Sequence, residues 1–251
     1  MIDALYSSAT GMLSQQTSMD VIANNLSNAT TVGYKRDRMD QSDLAYMPFR
    51  LPSGKDGQLG LGSAPGRVDK EMGQGVFQET GRPFDIAVQG EGYFQVTRAN
   101  GTLAYTRAGN MQVDARGQLG LPSGELVQPR ITLPAGASDP SIAQDGTVSV
   151  TVNGQIRQVG KIQLTTFANP PGLQALGGNL FVPTANSGAP QTGVPGTGNR
   201  GQVVQGVIEG SNVQIAQEMI SMVTTQRAFE ASSKVVTATD EMWGMANGMR
   251  R

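Results

Sequence analysis

The sequence has 251 residues, enough for one or two hydrophobic cores. Its 33 Gly and 13 Pro fit turn-rich β structure better than an all-helical protein, and a net charge of −1 excludes a nucleic-acid coat that must neutralise many phosphates. His and Cys are both absent, which removes the usual zinc ligands, thiol nucleophiles, imidazole bases and disulfides, and leaves an enzyme only carboxylate or Ser–Lys chemistry.

Residues 1 to about 30 predict a helix. Ile2, Leu5, Ala9, Met12, Gln16, Met19, Ala23 and Leu26 recur at alternating three- and four-residue spacing, a heptad seam with Gln16 as its one polar member. Asn24, Asn25 and Asn28 are unusual on a helix; their amides either cap its end or bond a neighbouring chain. Gly33 is placed to end the helix in the left-handed conformation. Met1-Ile2-Asp3 offers no basic n-region and no h-region follows, so no cleaved secretory signal is expected. No stretch reaches the roughly 18–20 apolar residues of a membrane span.

Tyr46 to Gly66 is rich in Gly, Pro and Leu and has no clear period. Tyr46, Met47, Phe49, Leu51, Leu59 and Leu61 make it too apolar for a free linker. From Val68 to Gly206 short apolar runs alternate with turn signals, among them Phe84–Val88 and Tyr93–Val96, with Asn100-Gly101, Asp145-Gly146 and Asn153-Gly154 as turns. Val148–Val152, Asn153-Gly154 and Ile156 onward predict a hairpin, continued by strands near Val159 to Phe167. Asn186 to Gly201 reads as a loop or linker.

Ser211 or Asn212 is placed to cap a final helix, which runs free of Gly and Pro to Trp243. Ile215, Met219, Met222, Gln226, Phe229, Ser233, Val236, Asp240 and Trp243 form its seam, again with a Gln inside. Two amphipathic ends of this length cannot bury their seams alone. They pair with each other, with the β middle, or with neighbouring copies, and small and polar seam residues suit packing among several helices.

Ala23-Asn24-Asn25-Leu26-Ser27-Asn28-Ala29-Thr30-Thr31-Val32-Gly33-Tyr34-Lys35 resembles the N-terminal signature of the flagellar rod and hook proteins. Glu209-Gly210-Ser211-Asn212-Val213, Glu218-Met219-Ile220 and Gln226–Glu230 resemble their C-terminal signature. Phe84–Phe94, Tyr105-Thr106-Arg107 and Leu164–Phe181 are similar to the family's central β domain. The resemblance implies a structural subunit that stacks helically into a hollow axle, with the terminal helices as inner tube wall. It further implies export through the flagellar type III apparatus, contact with neighbouring rod and hook proteins and with the surrounding ring (bushing) proteins, no nucleic acid, no membrane insertion and no cofactor. The Tyr46–Gly66 segment is similar to one in the distal rod members; Glu209–Val213 is also similar to a proximal one. Ala108 stands where the distal pattern carries an acid after Tyr-Thr-Arg.

The competing readings of single residues are structural. Gly90-Glu91-Gly92 lacks the third Gly and the helix of a phosphate loop and reads as a β-turn. Asp85 lies inside an apolar run, which favours structure over a carboxylate pair with Glu91. Arg227 with Glu230 is an i,i+3 pair, and Trp243 reads as packed core or interface. The rival function is an extracellular carbohydrate-binding or hydrolytic β protein, which has no need of two long helical ends.

The expected fold is α+β. Residues 1–35 with 211–251 form a coiled-coil-like terminal domain, 81–181 a central β domain, and 36–80 with 182–210 extended Gly/Pro-rich connections. The expected subunit interface comprises Leu5, Met12, Gln16, Met19, Asn24, Asn25, Leu26, Asn28, Tyr46, Phe49, Ile215, Met219, Met222, Gln226, Phe229, Val236 and Trp243. No catalytic, cofactor or metal residue is expected.

Overall fold

The computed structural model describes residues 2–50 and 56–249. The architecture is α+β, with a helix at each end and a β-rich centre. Two compact units are distinguished. The first holds α1 (Ile2–Ser27), residues Asp37–Lys70 and α2 (Ile215–Gly248); the second holds residues 28–36 and 71–213.

In the first unit α1 packs on α2 and on the strands that follow it. Residues 36–80, expected as a connection, are largely something else. β1 (Asp37–Asp43), β2 (Tyr46–Arg50), β3 (Asp56–Gly60) and β4 (Ser63–Lys70) form one antiparallel ribbon, β1 pairing with β4 and β2 with β3. Leu44 N donates to Gly62 O (2.9 Å) and Leu61 N to Ala45 O (3.3 Å), which carries the ladder across the break between the two pairs. Lys70 and Asp37 close its base with an ion pair of 2.8 Å. Glycine permits the path: Gly62 has φ +102°, and a Cβ there would lie 2.4 Å from Thr10 Oγ1 on α1. The hydropathy pattern did not reveal this because a ribbon packed on one side only, with Gly and Pro in it, has no clean alternation. Leu51, Pro52 and Gly54 lie outside the described residues.

In the second unit the chain runs through β5 (Phe77–Glu79) and β6 (Ile86–Gln89) into the hairpin β7 (Tyr93–Thr97) and β8 (Leu103–Thr106). Three short strands follow, β9 (Gln112–Val113), β10 (Leu119–Gly120) and β11 (Leu126–Val127). β12 (Ser138–Ile142), β13 (Thr147–Val152) and β14 (Gln155–Lys161) make a separate three-stranded sheet. β15 (Leu164–Thr166), β16 (Gln174–Gly177), β17 (Leu180–Val182) and β18 (Gln191–Gly193) complete the sheet around β7. β19 (Gln202–Gln205) pairs with β6, and β20 (Val207–Glu209) with β5. Residues 182–210, expected as a connection, thus contribute strands to this unit.

The Asn153-Gly154 hairpin forms as expected: both residues take positive φ (51° and 76°), the twist-compatible two-residue turn. The run expected to continue it divides instead. Ile162, fully buried, donates its N–H to Gly146 O (2.7 Å), and the chain then leaves for the other sheet as β15.

Strand β7 shows why this unit has two cores. Side chains alternate across a strand, so Phe94 and Val96 enter one cluster with Ile86, Val88, Leu164 and Val203. Tyr93 enters the other, with Tyr105, Phe167, Phe181 and Leu173. Phe167 meets Tyr105 edge to face at 4.9 Å and Tyr93 at 5.8 Å.

Candidate assembly interface

The two helices run antiparallel. Gly11 faces Ser232, a Cβ on Gly11 lying 3.9 Å from Ser232 Oγ, and Asn25 Nδ2 reaches Glu218 Oε2 at 3.5 Å. Both anchors are 14 residues apart on their helices (25 − 11 and 232 − 218), so close pairing persists over two heptads.

The residues buried on the pair include polar ones. Fully or nearly buried on α1 are Ser14, Ile22 and Asn25, and on α2 Glu218 and Thr239. Half-buried positions on α2 include Ser221, Thr225, Ala228 and Ser232. Small side chains let the helices approach closely but bury little apolar area, so the hydrophobic gain of pairing is small. Ser14 Oγ is buried with no hydrogen-bond partner, whereas Thr239 Oγ1 donates back to Val235 O (2.7 Å).

The expected interface residues therefore divide into two sets. Leu5, Met12, Met19, Leu26, Met222, Phe229 and Val236 are half-buried. Gln16, Asn24, Ile215, Met219, Gln226 and Trp243 are exposed. Other apolar side chains flanking the expected seams join the exposed set: Tyr6, Leu13 (60% exposed), Ile220 (58%), Val223, Val235 and Met242. A helix pair with isoleucine, leucine, valine and methionine exposed presents surface that favours further burial.

The ribbon adds to it. Met47 pairs with Leu59 on its exposed distal half, and Tyr46 lays its ring 3.4 Å from where a Gly60 Cβ would stand. Phe49 belongs to β2, but its side chain lies outside the described residues. A two-stranded ribbon is marginal alone in water.

Two expected interface residues serve other purposes. Asn25 is buried, and its side chain imitates a strand: Nδ2 donates to Asp37 O and Oδ1 accepts from Asp37 N, both at 2.8 Å. It is a node inside the unit. Asn28, half-buried, accepts at Oδ1 from Thr31 Oγ1 (3.2 Å) and turns the chain. The expected cap of α2 also changes. Ser211 Oγ accepts from Val213 N (3.2 Å), Asn212 binds residues 36, 71 and 73, and α2 begins only at Ile215.

In the second unit the structural reading of the remaining motifs is observed. Asp85 is buried and takes two bonds from Arg82 (3.0 and 3.1 Å). Gly90 and Gly92 turn the chain with φ of 101° and 137°. Three signature motifs converge here on a group that sequence reasoning did not assign: Lys35, Arg107 and Glu209, all buried, with Lys35 Nζ 2.6 Å and Arg107 Nη1 3.3 Å from Glu209. Burial lowers the Lys35 amine below its ordinary value, and the Glu209 carboxylate opposes that shift.

Comparison with known sequences fits this layout. The family described as "Flagella basal body rod protein" matches residues 5–35, "Flagellar hook protein FlgE/F/G D1 domain" residues 87–150, and "Flagellar basal body rod FlgEFG protein C-terminal" residues 204–249. The chain is 40% identical over 255 aligned positions to flagellar basal-body rod protein FlgG of Buchnera aphidicola subsp. Acyrthosiphon pisum, covering 96% of this chain and 97% of that one. The chain belongs to the flagellar basal-body rod protein family. FlgG of Caulobacter vibrioides is also 40% identical, over 99% of this chain and 100% of its own. FlgF of Salmonella typhimurium, another rod protein, is 34% identical over 97% of this chain and 96% of its own. Along the chain, the three matched stretches are the two helices with their adjoining segments and the part of the β-rich unit from β6 to β13.

Proposed function

We propose that this chain is a structural subunit of the bacterial flagellar basal-body rod, of the FlgG, distal type, which self-assembles helically into the hollow drive shaft that carries torque from motor to hook. One observation carries the reading: Ile215, Met219, Ile220, Val223, Tyr6 and Leu13 stand exposed on the two helices. The helices are thus apolar where neighbouring copies would pack. Full-length similarity to FlgG supports the distal assignment over the FlgF type, and over a carbohydrate-binding protein. In this reading the helices form the inner wall, with the expected seam residues Leu5, Met12, Gln16, Met19, Leu26, Gln226 and Trp243 at subunit contacts. The partners are further copies, the adjoining rod and hook proteins, the ring proteins and the export apparatus. Among the described residues no helix is long and apolar enough to cross a membrane.

The test replaces Met219 and Ile220 by Asp. Both side chains are more than half exposed, so the monomer should keep its fold, while a charge in an apolar contact blocks assembly. Basal bodies from the variant strain should end short of a complete rod, with motility lost. Full-length rods and normal swimming would refute the reading.

A further inference from the structure

Glu218 and Ser232 are where α2 meets α1. At about 3.6 residues per turn, the side of α2 opposite these two is a stripe that changes character along its length. Near its start stand Ile220 (58% exposed) and Val223 (49%). Its middle carries Arg227, Glu230 and Lys234, all exposed. Its end carries Met245 (63%), with Met242 and Met249 beside it, both also exposed. The helix is intact to that point, since Met249 N donates to Met245 O at 3.0 Å. The stripe is thus apolar at both ends and charged between them.

This pattern selects among ways of packing two copies. Side-by-side contact along the whole helix would desolvate Arg227, Glu230 and Lys234 together with the apolar ends. Contact between opposite ends buries the apolar residues and leaves Glu230 and Lys234 in water. The spacings agree with the second arrangement. Ile220, Val223 and Arg227 stand at i, i+3 and i+7, and so do Met242, Met245 and Met249. One shift of 22 positions (242 − 220, 245 − 223, 249 − 227) superposes the two sets.

Charge favours the same arrangement. With parallel helices shifted by 22 positions, the exposed Asp240 and Glu241 come level with residues 218 and 219, in the first turns of the neighbour's α2. A helix N-terminus attracts acids. Arg227 comes level with Met249, beside the last carbonyls of α2, where a helix attracts cations. Joining two like ends instead would set helix dipoles of one sign against each other.

We propose that α2 of one copy laps α2 of the next: Met242 and Met245 at the end of one helix lie on Ile220 and Val223 at the start of a parallel neighbour. The proposal rests on the reading of this chain as a self-assembling subunit and names the contact. Each copy offers one end and receives the other, so the contact is heterologous and open-ended, as a filament requires.

The chain has no cysteine, so introduced thiols report the contact without background. Val223→Cys and Met245→Cys lie 22 positions apart on one helix, about 33 Å, far beyond the reach of a disulfide within one chain. Oxidised basal bodies built from the double variant should give a ladder of covalent multimers of this chain. Either single variant alone should give no crosslink, and the two single variants expressed together should give a dimer and nothing larger. A dimer from a single variant means that like ends meet, and overturns the proposal. Complete rods of the double variant without a ladder, or with products joined only to another protein, also overturn it and leave the assembly reading standing. If the double variant builds no rod, charge reversal decides. Asp240→Lys shortens the rods and Lys234→Glu, outside the lap, does not, or the proposal is wrong.

Discussion

Lys35 Nζ lies 2.6 Å from Glu209 Oε1, with both side chains wholly shielded from solvent and 174 positions apart in the chain. Arg107, which shares that carboxylate, rests on Tyr93, and this gives the site an alkaline signature. Burial pushes the Tyr93 phenol up to about 12 from its ordinary 10.0, against the pull of Arg107. The folded state therefore holds the phenolic proton more tightly than the unfolded chain. Its contribution is fully present below pH 10 and is lost as pH rises to about 12, on the order of 2–3 kcal/mol. Lys35, lowered, acts oppositely: the unfolded chain binds its proton more tightly, so stability gains between the folded value and 10.5. Denaturant titrations from pH 8 to 12 should show Tyr93→Phe flattening the loss above pH 10. An unchanged slope would rule Tyr93 out as its source.

Gly33 should tolerate no side chain. Its φ is +69°, and a Cβ would stand 2.6 Å from Ala108 N and 2.9 Å from the Arg107 carbonyl carbon. Gly33→Ala combines left-handed strain of about 1–2 kcal/mol with a backbone clash that adds to it. A melting temperature within a degree of wild type would contradict this geometry.

Ser14 should be better as alanine. Its buried hydroxyl has no partner, a state that costs about 1–3 kcal/mol, and alanine is the stronger helix former by about half a kcal/mol. Helical circular dichroism during a melt should move upward for Ser14→Ala. Ser14→Leu should move it downward by overpacking, about 1–3 kcal/mol. A clear loss with alanine would mean that the hydroxyl is bonded.

In the monomer, exchange should be faster along both helices than across Ile86–Val88 and Phe94–Val96, because the helix pair buries little apolar surface and these strands are fully enclosed. Equal protection in both regions of a verified monomer would count against assembly-dependent ordering.

Removing residues 46–60 should leave the melting of the second unit unchanged, since β2 and β3 pair only with each other. Rods built from the shortened subunit should bend more readily or polymerise poorly. Straight rods of normal length and full torque would show that the ribbon's distal half has no part in stiffness.

Much of the fold was legible because its signals were local. Asn153-Gly154 demands positive φ twice, Gly33 once, the heptad spacing gives α1, and a long run free of Gly and Pro gives α2. What failed required distance or size. Nothing in the surroundings of Lys35 or Glu209 in sequence names the other, so the cluster emerges only when strands bring 35, 107 and 209 together. The buried Ser14 and Thr239 were not foreseen, because hydropathy weights large apolar side chains over hydroxyls. The ribbon was hidden by Pro48 and its glycines, which normally argue against a strand.

The hydroxyl-lined face between α1 and α2 has a mechanical meaning. Small side chains make shallow knobs and shallow holes, so sliding one helix along the other meets a low barrier and opens no large void. Asn25 pins one end of the pair through Asp37 and Glu218, while further along it Gly11 lies opposite Ser232. Axial compliance therefore rises along the pair from that pinned end. A shaft made of such elements would absorb torsion by graded slip of its helices, with the load returned at the asparagine.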